Sequence, residues 1–197
     1  MEIDETMKRF SHKYIEDLKK VLDTFAHDQF ERMIDAFLKA YMNEKHIFVM
    51  GNGGSASTAS HWVCDVNKGC CFNKNKKFKM ASLTDNVSTM LAYANDVSYD
   101  EIFVEQLKNF FSAGDVVVGI SASGNSLNVI KAVDYAKTNG GVTVGLCGYS
   151  GGKLYDMVDI PLLVKINDMQ KVEDVHMIVV HMTMRRILEE LNHVALK

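Results

Sequence analysis

Several features are missing from this sequence, and each absence excludes a class of protein. No apolar stretch approaches the roughly 20 residues that a membrane-spanning helix needs, so no membrane partner is expected. The N-terminal stretch MEIDETMKRF lacks the basic flank and apolar centre of a signal peptide, which favours a cytoplasmic protein. A basic excess is also lacking, because the net charge is -3, and nucleic acid is therefore not expected as a partner.

Cysteine and proline are both scarce. The chain has four cysteines, Cys64, Cys70, Cys71 and Cys147, and none of them forms a CxxC pair. Adjacent cysteines have poor geometry for a disulfide with each other, so we expect free thiols in a reducing compartment. A single proline beside 12 methionines favours a helix-rich chain with few rigid turns.

The length and composition fit one globular domain over residues 1–197. Apolar residues recur at three- and four-residue steps in two runs, which predicts two amphipathic helices before the first strand. The first run comprises Tyr14, Ile15, Leu18, Val21, Leu22 and Phe25, and the second comprises Phe30, Met33, Ile34, Phe37, Leu38 and Tyr41. Two such helices offer more apolar surface than one sheet can cover, so we expect residues 1–45 to serve in oligomerisation.

Five short runs from residue 46 onward are apolar on both faces, as expected of parallel strands that helices cover on each side. The runs are HIFVM from His46, FKMASLT from Phe78, DVVVGI from Asp115, VTVGLC from Val142 and DIPLLV from Asp159. Helical segments such as 126–137 lie between them, and a long helix over roughly 172–193 closes the chain. The pattern predicts an α/β fold, namely a three-layer, doubly wound, five-stranded parallel sheet with an N-terminal helical pair and a long C-terminal helix.

Two loops that follow predicted strands consist of small and polar residues. GNGGSAS, 51–57, follows the first strand, and SASGNS, 121–126, follows the third. Glycine leaves backbone N–H groups uncovered, and a helix N-terminus adds unpaired donors with a partial positive charge. Either loop alone is equally well explained as a tight turn with a serine cap. Two such loops at the ligand-binding edge of one sheet favour a site for phosphate or sugar hydroxyls.

A nucleotide cofactor is not expected. The stretch GNGGSA fits the pattern GxGxxA, but three small residues in a loop are common. The hypothesis of a nucleotide-binding oxidoreductase rests on nothing else in the sequence. The acidic residue expected about 20 positions further on is missing, and Asp85 follows only after about 30. The chain also has no GxxxxGK[ST] motif, and a serine-rich second loop suits a monophosphate better than a pyrophosphate.

Four segments in this order resemble the sugar isomerase (SIS) family. GNGGSASTASH, 51–61, and GISASGNSLNVIKA, 119–132, are similar to its two signature segments. ANDVSYDEIF, 94–103, and EDVHMIVVH, 173–181, resemble segments of the phosphoheptose isomerases within that family. The resemblance covers nearly the whole chain. It implies an isomerase of sedoheptulose 7-phosphate and D-glycero-D-manno-heptose 7-phosphate, built as a homotetramer with active sites at subunit contacts.

The same resemblance implies a set of substrate-binding residues on both loops and on two helices. These residues are Asn52, Gly53, Gly54 and Ser55 from the first loop, Asn95 and Asp96 for hydroxyls, Ser121, Ala122, Ser123 and Ser126 at the phosphate, and Glu173 on the last helix. Ala122 stands where the family carries a hydroxyl residue.

Aldose–ketose isomerisation moves a proton between adjacent carbons through an enediol. It needs a base for the C–H proton and an acid or a metal at the carbonyl oxygen. By resemblance, Asp65 and His181 are the acid–base pair, and a divalent metal, zinc before others, would be held by His61, Asp65, Glu173 and His181. His61 and Asp65 are four residues apart, which places them about 40° apart on one helix face. Such a pair suits a metal, a shared proton or a plain surface contact.

Two positions depart from the family pattern and leave two hypotheses open. Asp65 stands where the family has Glu, and Glu173 stands where it has Gln. The shorter carboxylate is retracted by about one C–C bond, and a misplacement of about 1 Å can cost a hundredfold in rate. The exchange is compatible with compensation by Glu173, with another phosphosugar substrate, or with loss of catalysis. The first hypothesis is therefore a phosphosugar isomerase, and the alternative is a non-catalytic SIS protein that binds a sugar phosphate as a regulatory or protein-interaction module.

Overall fold

The computed structural model describes residues 5–194 as a layered arrangement of helices around one sheet. The helices are α1 (Glu5–Leu22), α2 (His27–Met42), α3 (Gly54–Cys64), α4 (Val87–Asp96), α5 (Val104–Lys108), α6 (Leu127–Thr138), α7 (Gly152–Met157) and α8 (Met169–Val194). The strands are β1 (His46–Gly51), β2 (Lys79–Ser82), β3 (Val116–Ser121), β4 (Val142–Gly148) and β5 (Ile160–Val164). A π-helical segment, Asp65–Cys70, continues α3, and a 3-10 helix, Tyr99–Glu101, precedes α5.

The five predicted strands are confirmed and form one parallel sheet in the order β2-β1-β3-β4-β5. The chain runs from β1 outward to β2 and then crosses to the other side of β1 to form β3. The connections after β1 and β3 therefore diverge, and a crevice opens between them at the carboxyl ends of these strands. The two small-residue loops lie at this point of the sheet.

Alternation along the central strands divides the core into two layers, which confirms the three-layer architecture. Ile47 and Val49 pack with residues of α2, α3 and α8 on one face of the sheet. Phe48 and Met50 pack with residues of α5, α6 and α7 on the other face. Because both faces are covered, the central strands β1, β3 and β4 consist mainly of apolar residues, as their sequences predicted.

The N-terminal helical pair is also confirmed, and α1 is attached chiefly to the start of α8. The Tyr14 hydroxyl donates to Asp174 Oδ2 at 2.6 Å, and this hydrogen bond raises the pKa of Tyr14 to about 12. The ammonium group of Lys171 lies 4.4 Å from the centre of the same ring. Phe10 and Ile15 remain exposed on the outer face of α1. Phe25, which the sequence pattern places in the first helix, lies instead in the connection to α2.

A membrane span requires a long helix of apolar composition, and no helix within residues 5–194 meets both requirements. The cysteines Cys64, Cys70, Cys71 and Cys147 carry free thiols, as expected.

His176 gives the fold a pH-dependent stability. Its side chain is 1% exposed on α8, and its Nε2 lies 3.4 Å from the carbonyl oxygen of Cys147. Burial lowers the pKa of His176 from 6.5 to about 4, because the imidazolium form loses its hydration.

We expect the free energy of unfolding to fall as the pH is lowered from above 6.5 to about 4. The folded chain holds His176 neutral while the unfolded chain protonates it, so protons favour the unfolded state in this window. The contribution lost is about 3 kcal/mol, from about 1.4 kcal/mol per pKa unit. Denaturant titrations across this range measure it, and the non-titrating variant His176→Gln should show a flatter pH dependence. Equal slopes in the two proteins would contradict the assignment to His176.

Candidate active site

The site is positioned by the ends of β1 and β3, which are adjacent in the sheet. Gly51 at the end of β1 pairs with Ile120, one residue before the end of β3. Each strand leads into a small-residue loop and then into a helix, α3 after the first and α6 after the second. The N-terminal N–H groups of both helices have no intrahelical partners, and the helix dipoles favour negative charge at these ends.

The first loop requires glycine at three sites, for a different reason at each. Gly53 has φ of 55° and ψ of -121°, a conformation that residues with a Cβ rarely adopt. A Cβ on Gly51 would lie 2.6 Å from the Cβ of Ser55, which is itself buried. A Cβ on Gly54 would lie 2.5 Å from Oε1 of Glu173. The Glu173 carboxylate therefore lies directly against the first turn of α3.

The second loop brings three serine hydroxyls together. Ser121 Oγ lies 3.1 Å from Ser126 Oγ and 3.5 Å from Ser123 Oγ. Ser126 occupies the N-cap position of α6 but makes no side-chain cap hydrogen bond. Its hydroxyl faces the other serines instead, so the three hydroxyls and the start of α6 converge as donors for one anion.

The connection between β4 and α7 supports the second loop from behind. Gly124 has φ of 66°, and a Cβ there would lie 1.7 Å from the carbonyl oxygen of Gly151. The N–H of Leu154 donates to the carbonyl oxygen of Gly124 at 2.9 Å. Ala122 packs with apolar residues of β5 and α8, including Val172. The position that carries a hydroxyl in the family pattern thus contributes only a methyl group to the apolar layer here.

A second polar cluster lies between α3 and α8. His61 Nε2 is 3.3 Å from His181 Nε2 and 3.4 Å from Asp65 Oδ2. His61 and His181 are exposed, whereas Asp65 is partly buried where α3 passes into the π-helical segment. Segments of π-helix are rare and frequently occur at functional sites.

The three side chains are suited to a divalent metal. One ligand atom from each of His61, Asp65 and His181 lies within 4.8 Å of the others. Two imidazoles and one carboxylate form a donor set that zinc accepts, and three protein ligands leave a coordination position for substrate or water. The set fits a catalytic zinc site better than a closed structural one.

Glu173 is not part of this cluster among the described residues. It precedes His181 by eight residues, which is about 12 Å along a helix axis. Gly54 precedes His61 by seven residues, so α3 and α8 run side by side in the same direction. Glu173 meets the start of α3 while His181 meets its later turn. The predicted four-ligand set therefore appears in the structure as three residues together and one carboxylate at the glycine loop.

Asn95 and Asp96 are exposed at the end of α4, and the Asn95 amide donates to Asp96 Oδ1 at 2.7 Å. Neither residue is among those that line the cavity of about 170 Å³ beside the first loop. That cavity is bounded instead by residues of the first loop, by α4 and by Tyr99. The role implied for Asn95 and Asp96 stays a prediction.

Two residues at the site were not anticipated from the sequence. Asn128 is 2% exposed and exchanges two hydrogen bonds with Asn52, each of 2.9 Å. The hydroxyl of Tyr99 donates to Asn52 Oδ1, also at 2.9 Å. Both residues lie inside the quoted family segments, but a side-chain pairing between separate elements leaves no periodic signal in a sequence.

Comparison with known proteins finds sequence similarity over most of the chain. A sequence model of the SIS domain family matches residues 10–148. The chain is 34% identical to the phosphoheptose isomerase of Aliarcobacter butzleri over 178 residues, which is 90% of this chain and 93% of that protein.

Solved structures show the same likeness in three dimensions. The phosphoheptose isomerase of Neisseria gonorrhoeae superimposes with a TM-score of 0.84 and 29% identity, covering 92% of this chain and 98% of that one. A phosphoheptose isomerase from Francisella tularensis has a TM-score of 0.86 with 23% identity, covering 94% and 97%. At that identity the second likeness concerns the fold alone.

Proposed function

The chain belongs to the SIS domain family and, within it, to the phosphoheptose isomerases, and we propose that it interconverts sedoheptulose 7-phosphate and D-glycero-D-manno-heptose 7-phosphate. It is thus an isomerase of aldose and ketose phosphates. One observation indicates which residues bind the phosphate end of the substrate and which act on its reacting carbons. The serine hydroxyls converge at the start of α6, whereas His61, which forms a cluster with Asp65 and His181, lies seven residues and about 10 Å along α3 from Gly54 of the first loop.

This separation suits a long substrate. Sedoheptulose 7-phosphate carries its phosphate on C7 and reacts at C1 and C2, at the opposite end of the carbon chain. Ser121, Ser123 and Ser126 are proposed to bind the phosphate, helped by the N-terminal dipole of α6. The Glu173 carboxylate at the first loop disfavours a phosphate there by like charge, and it is placed to accept hydrogen bonds from sugar hydroxyls instead.

Asp65 and His181 are proposed as the acid–base pair of the reaction. In the ketose-to-aldose direction, the Asp65 carboxylate takes a proton from C1 while the His181 imidazolium gives one to the carbonyl oxygen on C2. The product of this step is a neutral enediol. The Asp65 carboxylic acid then delivers its proton to C2, and the His181 imidazole takes the proton of the C1 hydroxyl. The aldehyde forms at C1, and both side chains return to their starting states.

The neighbouring His61 serves this exchange. Its Nε2 faces Nε2 of His181 at 3.3 Å, so one proton can be shared between the two rings. A divalent metal, zinc before others, would be held by His61, Asp65 and a neutral His181, and when bound it would supply the polarisation of the substrate carbonyl in place of the imidazolium proton.

The activity is tested by NMR of the wild type with sedoheptulose 7-phosphate in heavy water, with zinc, manganese or magnesium supplied. We expect an aldose product and solvent deuterium at the carbon next to the carbonyl, because the Asp65 carboxylic acid exchanges its proton with heavy water before it delivers a deuteron to C2. Binding without turnover under all three metals would contradict the isomerase assignment and favour a binding protein of the same family.

We expect Ser123→Asp to weaken sugar phosphate binding by at least about tenfold, or roughly 1.4 kcal/mol. The substitution places a negative charge where the ligand carries one, on an exposed side chain whose replacement spares the core. Calorimetry measures the affinity, and Ser150→Asp, also exposed but outside the second loop, is a matched control. Unaltered affinity in Ser123→Asp would show that the second loop does not bind the phosphate.

We further propose a homotetramer in which residues 1–45 contribute to the contacts. Exposed Phe10 and Ile15 on α1 support this, as does α4, an apolar helix in which no residue is buried within one chain. Light scattering at micromolar concentration should give about four times the chain mass of 22.1 kDa, since covering these faces releases ordered water. A stable monomer would contradict both the assembly and the sharing of active sites between subunits.

A further inference from the structure

Three amide and hydroxyl groups from separate elements meet beside the first loop. Asn52 lies in the loop after β1, Asn128 lies in the first turn of α6, and Tyr99 lies in the 3-10 helix. Their side chains form three hydrogen bonds of 2.9 Å, and Asn52 takes part in all of them. We call these three residues the amide clamp.

The orientation of both amides follows from one backbone donor. The N–H of Val129 points at the side chain of Asn128 at 2.9 Å, and an N–H can only donate, so the atom it meets is Oδ1. The same oxygen faces Asn52, which must therefore present its Nδ2 there. The Oδ1 of Asn52 then faces Nδ2 of Asn128 and the hydroxyl of Tyr99, and it accepts from both.

A count of donors and acceptors shows what the amide clamp leaves available. An amide oxygen offers two lone pairs and an amide nitrogen offers two N–H donors. The Asn52 oxygen is saturated by Asn128 and Tyr99, and one of its N–H groups is taken by Asn128 Oδ1. A single N–H of Asn52 is left for a ligand.

We propose that Asn128 and Tyr99 are positioning residues that hold Asn52 as a hydrogen-bond donor toward the sugar and thereby select an oxygen acceptor at that point of the substrate. This inference rests on the proposed function of the site and assigns a role within it. Asn128 lies on α6, the helix that follows the second loop, and its hydrogen bonds to Asn52 connect this helix to the first loop. The same bonds therefore hold the two loops at a fixed distance from each other.

Tyr99 is the best handle for a test because it is 56% exposed. Water can replace Asn52 as the hydrogen-bond partner of this exposed hydroxyl, so the stability of the fold does not depend on the bond between Tyr99 and Asn52. Tyr99→Phe removes one donor to Asn52 and leaves the ring in place. Tyr135→Phe is the matched control, because Tyr135 lies on α6 with its ring against Phe111.

The experiment is a double-mutant cycle with Tyr99→Phe and Asn52→Ala, read in kcat/KM with sedoheptulose 7-phosphate. Tyr99→Phe should lower kcat/KM about fivefold, the factor of one ordinary neutral hydrogen bond, with an unchanged unfolding midpoint. In the Asn52→Ala background the same change should have no further effect, because Tyr99 acts through Asn52. Asn128→Asp keeps the oxygen for Val129 and removes the donor to Asn52, so its loss should be smaller in that background, and the loss that remains measures the negative charge added beside the second loop.

Full activity of Tyr99→Phe, or an equal loss with and without Asn52, would overturn the amide clamp. Absence of turnover in the wild type would instead overturn the proposed function. The amide clamp is then judged on the side-chain NMR signals of Asn52, identified by their loss in Asn52→Ala. These signals should shift in Tyr99→Phe and stay in place in Tyr135→Phe, and unshifted signals in Tyr99→Phe would overturn it.

Discussion

Asp65→Asn should lower turnover of sedoheptulose 7-phosphate by about 10²- to 10⁴-fold, the usual worth of a positioned general base. The amide keeps the shape of the carboxylate and removes its basicity, so the C1 proton loses its acceptor. Phosphate affinity should remain nearly intact, because the three serine hydroxyls belong to a different loop. Steady-state kinetics and calorimetry measure the two quantities separately.

Asp65→Glu extends this prediction to the missing methylene. Asp65 is the first residue of the π-helical segment, and its Oδ2 already lies 3.4 Å from Nε2 of His61. At this backbone position the shorter side chain is thus long enough to contact the histidine. We therefore expect Glu at this position to crowd the histidines and lower activity. Asp134→Asn, an exposed change on α6, controls for expression and folding. Full activity in Asp65→Asn would contradict the proposed role of the carboxylate, and a gain in Asp65→Glu would mean that the site is a weakened form of the family's.

Gly124→Ala should destabilise the fold by about 4 kcal/mol or more and abolish phosphate binding. Two causes combine at this residue. Its φ of 66° is unfavourable for any residue with a Cβ, and that Cβ would lie 1.7 Å from a backbone oxygen of Gly151. The second loop can relieve the clash only by moving away from α7, which would separate the serine hydroxyls.

Gly140→Ala separates the two causes. Gly140 also has a positive φ, 81°, but a Cβ there would meet only the Cβ of Ala113 at 3.5 Å, which is an ordinary contact. We expect this variant to lose about 1–2 kcal/mol, the backbone part alone. Urea denaturation compares the two proteins. A similar loss in both would show that the close approach of the second loop to Gly151 carries no energetic weight.

The sheet was predictable because the sequences of buried parallel strands are continuous apolar runs bounded by polar residues. The ends were less predictable, and β3 shows why. The run DVVVGI begins at Asp115, but the strand begins at Val116. The Asp115 carboxylate accepts hydrogen bonds from the N–H groups of His46 and Ser112, so this residue closes a turn before the strand starts.

The candidate site was predictable where residues lie close in sequence. Ser121, Ser123 and Ser126 fall in one loop, and His61 and Asp65 are one helical turn apart, so spacing alone brings them together. The pairing of Asn128 with Asn52 spans 76 residues and depends on the crossover between β1 and β3. The contact of Glu173 with Gly54 depends on the parallel arrangement of α3 and α8. Such contacts are set by tertiary geometry, which no local pattern encodes.

Ser126 sits at the N-cap of α6 without capping it, because the Asn128 side chain takes the N–H of Val129. A cap is normally worth about 1 kcal/mol, and at this helix that contribution comes from a different residue. Position 126 is therefore released from a structural constraint and can mutate under selection for ligand alone. Descendants of this sequence could exchange the anion they recognise by changes at position 126 without first acquiring compensating stability. That freedom makes position 126 a natural starting point for a library aimed at substrates with a carboxylate or sulfate in place of phosphate.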